Sequence, residues 1–117
     1  GKRIGPAEIE SAAVAHRSVV MAAAIGVPDE IKGEAIGLFL VGGPGVDVDE
    51  ALTSEIEELV SETLGKSFRP AFIRWAPDLP RTRSAKIMRR VIKAVALGQD
   101  PGDLTSLENP ESLEGLR

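Results

Sequence analysis

The side chains best suited to bind an anion lie in one basic segment, residues 81–93, which reads RTRSAKIMRRVIK. This segment holds six of the fourteen Lys and Arg residues and none of the eighteen acids. Because a dense cationic patch on an otherwise acidic chain usually meets an anionic partner, it predicts an anion-binding surface. The net charge of −4 argues against general nucleic-acid binding.

Lys86 has the most specific predicted position, because Ser84 is expected to cap a helix over residues 84–97. A helix N-terminus offers free N–H groups and about half a positive charge. A lysine there is unfavourable unless an anion such as a phosphate joins it. The other interpretation, an ordinary solvated helix face, is equally open from these residues alone. The remaining bases of the segment are expected to be docking or solvated charges: Arg81, Arg83, Arg89, Arg90 and Lys93.

The composition predicts a single folded domain. The chain has 117 residues, 43% of them hydrophobic, and no cysteine, which excludes disulfide and thiolate chemistry. No apolar run approaches the ~20 residues that span a bilayer, and no signal-peptide pattern is present. We therefore expect a cytoplasmic protein without a membrane partner. The first residue is not Met, which suggests a piece of a longer polypeptide.

Hydrophobic periodicity and turn signals predict six elements. In chain order they are helix 6–15, strand 18–27, strand 34–41, helix 49–64, strand 70–75 and helix 84–97. The polar residues from Gln99 onward predict a tail that lies on the surface or is partly disordered. This order, with the continuous apolar run at 18–27, predicts an α+β domain with a small three-stranded sheet flanked by helices on both faces.

Four segments resemble one known family. Residues 79–90, LPRTRSAKIMRR, are similar to the motif near the C-terminus of short-chain acyl-CoA synthetases of the acetyl-CoA synthetase type, members of the adenylate-forming superfamily. Residues 1–10, 26–33 and 102–110 resemble further segments of that family in the same order. The resemblance covers nearly the whole chain. It implies the mobile C-terminal domain at residues 1–98, an extended C-terminal tail at residues 99–117, and a large N-terminal domain elsewhere.

The resemblance also implies a reaction in two halves. A carboxylate attacks the α-phosphate of ATP, giving acyl-adenylate and pyrophosphate, and the thiol of CoA then displaces AMP. The C-terminal domain rotates between the halves and presents a different face to each. The implied partners are the large domain, a small carboxylate, ATP with Mg²⁺, and CoA. The tail motif favours acetate or propionate, and the isolated fragment is expected to be inactive.

Individual roles follow from the same resemblance. Lys86 corresponds to the catalytic lysine of the adenylation half-reaction and to the regulatory acetylation site, with a lysine acetyltransferase and a deacetylase as partners. Gly1 corresponds to a glycine beside the pantetheine arm of CoA. Arg3 corresponds to an arginine on the ATP or AMP phosphate. From the residues alone, Arg3 is more simply a surface cation.

A divalent metal site is implied near the end of the first helix. The resemblance gives the backbone carbonyls of Val14 and Val19 and the side chain of His16 as ligands of a weak structural cation. A helix C-terminus does expose free carbonyls. From the residues alone, His16 is more simply a helix-end cap.

The chain leaves the family pattern at three positions. Ala85 stands where the family usually has Gly, which restricts the backbone before Lys86. Ser61 stands where acetyl-CoA synthetases carry an arginine towards the CoA nucleotide, so CoA docking is expected to differ. Lys2 replaces the usual histidine and could compensate in part.

A function of another class stays open from the sequence. A free-standing anion-binding or regulatory module would use the basic helix 84–97 on an acidic partner. The acidic remainder of the chain and its few aromatic residues count against RNA as that partner.

Overall fold

Three α-helices and three strands make up most of residues 4–31 and 33–116, the part of the chain that the computed structural model describes. The helices are α1 (Pro6–Val14), α2 (Glu50–Leu64) and α3 (Arg89–Ala96). The strands are β1 (Val19–Asp29), β2 (Gly33–Gly42) and β3 (Phe72–Trp75). Two short 3₁₀ helices cover Lys66–Phe68 and Pro110–Leu116. All six predicted elements exist, and five of them have nearly the predicted bounds.

The strands form one sheet in the order β1-β2-β3. β1 and β2 pair antiparallel, from Val19 opposite Gly42 to Asp29 opposite Gly33. β3 runs parallel to β2. A parallel pair needs a crossover connection, and α2 supplies it.

Side chains on β1 and β2 alternate between the two faces of the sheet. One face packs under α1 and α2, with Ala22, Ala24, Leu38 and Leu40 against Ile9, Ala12, Ala13, Ile56 and Val60. The other face packs under α3 and the tail, with Ala23, Ile25, Phe39 and Val41 against Leu79, Val91, Ile92, Leu113 and Leu116. The predicted α+β fold, a small sheet flanked by helices on both faces, is therefore confirmed.

α2 follows its local signals closely. The Asp49 side chain caps it by accepting the Leu52 N–H at 2.9 Å. The Trp75 indole N–H donates to the Thr53 hydroxyl at 2.8 Å, which ties β3 to the helix. Within the described ranges, no helix combines the length and the apolar character that crossing a membrane requires.

The second half of the tail packs into the core, so the predicted surface-lying or disordered tail is wrong for residues 109–116. Leu113 is 6% exposed and Leu116 is 1% exposed, both in the cluster under α3. The physical reason is that α3 has only eight residues and leaves part of that face uncovered. The polar composition of residues 99–117 hides the few leucines that fill it.

Candidate active site around Lys86

Residues 81–88 form a tight turn stabilised by its own hydrogen bonds. Arg81 and Ile87 face each other in an antiparallel bridge. The Thr82 N–H donates to the Lys86 carbonyl at 2.9 Å, and the Ala85 N–H donates to the Thr82 carbonyl at 2.9 Å. The Lys86 N–H donates to the Thr82 hydroxyl oxygen at 3.1 Å. One threonine therefore holds both sides of the turn.

The predicted helix 84–97 is wrong at its start, because α3 begins at Arg89. Thr82 gives the physical reason, since its hydroxyl and carbonyl oxygens take two N–H groups in an alternative to helical bonding. Lys86 consequently lies at the end of a turn. An anion there would meet its ammonium group rather than a helix N-terminus.

Ala85 holds the turn in an unusual conformation. Its φ of +68° makes it the one non-glycine residue with positive φ among residues 4–31 and 33–116. A left-handed backbone costs an L-amino acid about 1–2 kcal/mol, and glycine avoids this cost. The predicted departure at Ala85 thus falls on a position where glycine fits better. Strain of this kind persists only where surrounding contacts hold it.

Four of the six bases in the segment bond to other parts of the described molecule. Arg81 pairs with Asp78 at 2.9 Å, Arg83 with Glu108 at 3.4 Å and Arg89 with Glu10 at 2.6 Å, and Arg90 donates to the carbonyl oxygens of Pro101 and Asp103. These four arginines therefore contact their own domain, while Arg83 is still 90% exposed, and the expectation of docking or solvated charges stays a prediction. Within the described part of the chain, the Lys86 and Lys93 side chains have no hydrogen bond or ion pair, and only Lys86 is exposed.

The Arg89 pair joins two elements across the edge of the sheet. Its guanidinium contacts both carboxylate oxygens of Glu10 at 2.6 Å. Glu10 also accepts the Ala24 N–H of β1 at 2.8 Å. The hydrogen bond to Glu10 raises the pKa of Arg89, against the opposing effect of partial burial. α3 is thereby anchored to α1, which fixes the helix that follows the turn.

A buried amide braces the base of the turn. Asn109, 5% exposed, accepts the Arg81 N–H at 2.8 Å and donates to Asp78 at 2.9 Å and to the Leu79 carbonyl at 2.8 Å. Sequence reasoning missed this residue. The only available signal was the Asn-Pro pair at 109–110 in a segment that resembles the family tail.

Asp78 is held in its charged form by this network. Partial burial acts to raise its pKa, but hydrogen bonds from the Asn109 amide, the Leu79 N–H and Arg81 together lower the pKa below its ordinary value. A carboxyl group with a lowered pKa stabilises the fold above its ordinary pKa, and the contribution disappears as the pH falls through the folded-state value. The hydrogen bonds that join Asp78 to Arg81 and Asn109 are therefore intact at neutral pH.

His16 lies where the metal site was predicted, just after the end of α1. Its Nδ1 accepts the Ser18 N–H at 3.1 Å, which leaves the proton on Nε2, 2.7 Å from Glu55. Among the described residues no three His, Cys, Asp or Glu side chains cluster as metal ligands. With both ring nitrogens engaged, His16 does not fit a resident cation as it stands. The site formed with Val14 and Val19 stays a prediction, and it requires the ring to release a partner.

Of the residues that the resemblance assigns to the second half-reaction or to CoA docking, the structure describes only Ser61. Gly1, Arg3 and Lys2 lie outside the described residues. Ser61 is 8% exposed and packs inside the domain on α2. The serine thus presents neither charge nor an open surface to a CoA nucleotide.

With this geometry established, comparison with known proteins decides the family. Residues 8–86 match the model of the AMP-binding enzyme C-terminal domain. The chain belongs to this family. The matched range ends at Lys86, the exposed base of the turn that has no partner among the described residues.

The most similar relatives compared are acyl-coenzyme A synthetases. The chain is 50% identical over 116 residues to the acetyl-coenzyme A synthetase of Methanothrix thermoacetophila, covering 99% of this chain and 18% of the relative. It is 45% identical to the 3-hydroxypropionyl-coenzyme A synthetase of Sulfurisphaera tokodaii, covering 98% of this chain and 17% of the relative. The chain therefore spans less than a fifth of the length of these relatives.

Solved structures share the fold. A Brucella canis acyl-CoA synthetase aligns with a TM-score of 0.71 and 37% identity over 76% of this chain and 16% of that one. The amide bond synthetase McbA from Marinactinospora thermotolerans aligns with a TM-score of 0.69 and 27% identity over 83% of this chain and 19% of that one. The same domain fold therefore occurs in an acyl-CoA synthetase and in an amide bond synthetase, which form different products.

Proposed function

We propose that this domain serves an AMP-forming acyl-CoA ligase of the acetate or propionate type, in which Lys86 supplies the positive charge for adenylation. The observation that carries the proposal is the state of Lys86. Within the described ranges it is the exposed base of the segment without a partner, while four neighbouring arginines are paired. The high identity to acetyl-coenzyme A synthetases supports the same reaction class.

The chemistry needs such a charge. In adenylation a carboxylate oxygen bonds to the α-phosphorus of ATP, and the bond to the pyrophosphate oxygen breaks. Two anions must approach, and charge develops on the phosphate oxygens. An ammonium group already in place offsets the repulsion and stabilises the transition state. Mg²⁺ accompanies ATP as part of the substrate.

The second half-reaction uses other parts of the domain. The thiol of CoA attacks the acyl carbonyl and AMP leaves, with the proton of the thiol released. We assign Gly1 to the CoA side and Arg3 to the nucleotide phosphate on the resemblance alone. The large N-terminal domain would be the partner surface in both halves, with the C-terminal domain rotating between them. We also propose that the enzyme is located in the cytoplasm.

Regulation would act on the same atom. Acetylation of Lys86 neutralises the ammonium group, so it would stop adenylation in the same way as its removal. The exposure of this side chain makes it accessible to an acetyltransferase and a deacetylase.

Substitution of Lys86 in the full-length enzyme tests the function. Lys86→Ala should lower acid-dependent ATP–pyrophosphate exchange by on the order of 10²–10³-fold or more, because one preorganised electrostatic contact is lost. Thioester formation from supplied acyl-adenylate should be largely unchanged. An enzyme acetylated at Lys86, verified by mass spectrometry, should match Lys86→Ala in both assays.

Lys93→Ala is the matched control. Lys93 lies in the same basic segment and has no partner among the described residues, but it lies on α3 and is half-buried. Its removal should leave both half-reactions intact. Equal loss of both half-reactions in Lys86→Ala, or none in either, would overturn the assignment.

A further inference from the structure

A buried polar side chain connects the tail to the turn that carries Lys86. Asn109 makes three hydrogen bonds with its amide, to the Arg81 N–H, the Asp78 carboxylate and the Leu79 carbonyl. A buried amide whose oxygen and nitrogen are both satisfied favours one arrangement of its neighbours, because any shift leaves a polar group unpaired. The base of the turn is therefore fixed by a residue 28 positions further along the chain.

The tail backbone continues the same contact. The Glu108 N–H donates to the Arg81 carbonyl at 2.9 Å, and Thr82 faces Leu107 in an antiparallel bridge. On its other side the same arm of the turn, residues 81–82, pairs with residues 86–87. Residues 81–82 are thus held between the tail and the arm that contains Lys86.

The turn needs support of this kind. Ala85 is held at a φ of +68°, a conformation that an alanine leaves readily once its surroundings loosen. The Lys86 side chain has no partner among the described residues, so the backbone of the turn sets its direction. We propose that Asn109 is a positioning residue for Lys86, an inference that rests on the adenylation role proposed above.

The expected effect is specific to one half-reaction. Displacement of a catalytic group by about 1 Å can cost on the order of 10²-fold in rate. Loss of Asn109 should displace the Lys86 ammonium by this kind of distance without removing it. The thioester half-reaction, which uses another face of the domain, should not respond.

Asn109→Ala in the full-length enzyme tests the inference. Pyrophosphate exchange should fall by about 10–100-fold, and thioester formation from supplied acyl-adenylate should stay within about twofold. Both assays are run below the melting temperature of the variant. A merely structural residue would lower the two rates together.

Leu113→Ala is the matched control. Leu113 lies in the same tail and is 6% exposed, but it makes only apolar contacts in the core. Its truncation should lower the melting temperature while the ratio of the two half-reaction rates stays at the wild-type value. An equal change of this ratio in both variants would make the effect one of tail stability.

The outcomes separate the two proposals. If Lys86→Ala keeps adenylation, the proposed function fails. If Lys86→Ala loses adenylation while Asn109→Ala keeps it, or loses both half-reactions equally, only the positioning role fails. Should Asn109→Ala not fold, Asn109→Ser decides by the same criterion, because its shorter hydroxyl side chain cannot make all three hydrogen bonds of the amide and adds no charge beside Asp78.

Discussion

The two faces of the sheet are covered in different ways. Under α1 and α2 the cover is regular, and α2 is fixed by a local cap in which Asp49 bonds the N–H three residues later. Under α3 the helix has only eight residues, and the tail completes the cover. Asn109 bonds to residues 28, 30 and 31 positions earlier in the chain.

This difference shows why the candidate site lies on the irregular side. A regular helix pair can be formed from local signals, but it offers few positions where a side chain extends unpaired from a strained turn. Residues 81–88 adopt such a turn, and contacts distant in sequence hold it. Under the positioning role proposed for Asn109, these contacts would make Lys86 sensitive to residues that never approach a substrate.

The largest expected effects test whether both faces belong equally to the core. Ile56→Ala and Leu116→Ala each remove a large side chain that is at most 1% exposed, one from each face. Each should lower the free energy of unfolding by about 2–5 kcal/mol through lost burial and the cavity left behind. Urea denaturation of the two variants measures this.

If Leu116→Ala lowers the free energy of unfolding only slightly while Ile56→Ala lowers it strongly, the two faces do not contribute equally to the core. The tail would then contribute little to stability, and the stability of the core would come mainly from the face under α1 and α2. Leu113→Ala, at a second buried tail position, should follow Leu116→Ala in either case.

The sequence predicted the regular face well and the irregular face poorly. α1 begins at Pro6, and α2 follows the 3.6-residue period and has its own Asp49 cap, so local information was sufficient. The start of α3 was placed five residues early, because Thr82 bonds the N–H groups of residues 85 and 86 in a way that periodicity does not reveal. The tail was misjudged because its average composition is polar although single leucines are buried.

The candidate site divides in the same way. Lys86 was proposed from its motif, and its role stays a prediction, whereas Ala85 was recognised as a departure that the positive φ makes significant. Asn109 could not be found, because a hydrogen bond between residues 109 and 81 depends on how the chain returns to the turn. The spacing of residues in the sequence does not reveal this long-range contact.

A middle-sized effect is expected at the link between α1 and α3. Arg89→Ala removes the ion pair of the Glu10 carboxylate, which is 13% exposed and keeps its hydrogen bond from the Ala24 N–H of β1. The cost should be about 1 kcal/mol, since Arg89 is 38% exposed and water weakens the pair. Denaturation at low and high salt measures it, and the difference should shrink as salt screens the pair.

Arg83→Ala is the control for this link. Arg83 is 90% exposed and lies 3.4 Å from Glu108, so its removal should leave stability unchanged. If both substitutions have the same effect, Arg89 contributes only as a surface charge, and the two faces are not joined through Glu10.

The smallest effect is expected at Ala85. Ala85→Gly relieves about 1–2 kcal/mol of left-handed strain and costs about 0.5–1 kcal/mol in the added freedom of the unfolded chain. The net change should therefore be stabilising, by about 0.5 kcal/mol. The same substitution at Ala51, an exposed position in the first turn of α2, should destabilise by about 0.5 kcal/mol, because glycine disfavours a helix. Opposite signs for one chemical change would locate the strain in the turn before Lys86. If both variants lose stability, Ala85 carries no strain, and the tail is not needed to hold that conformation.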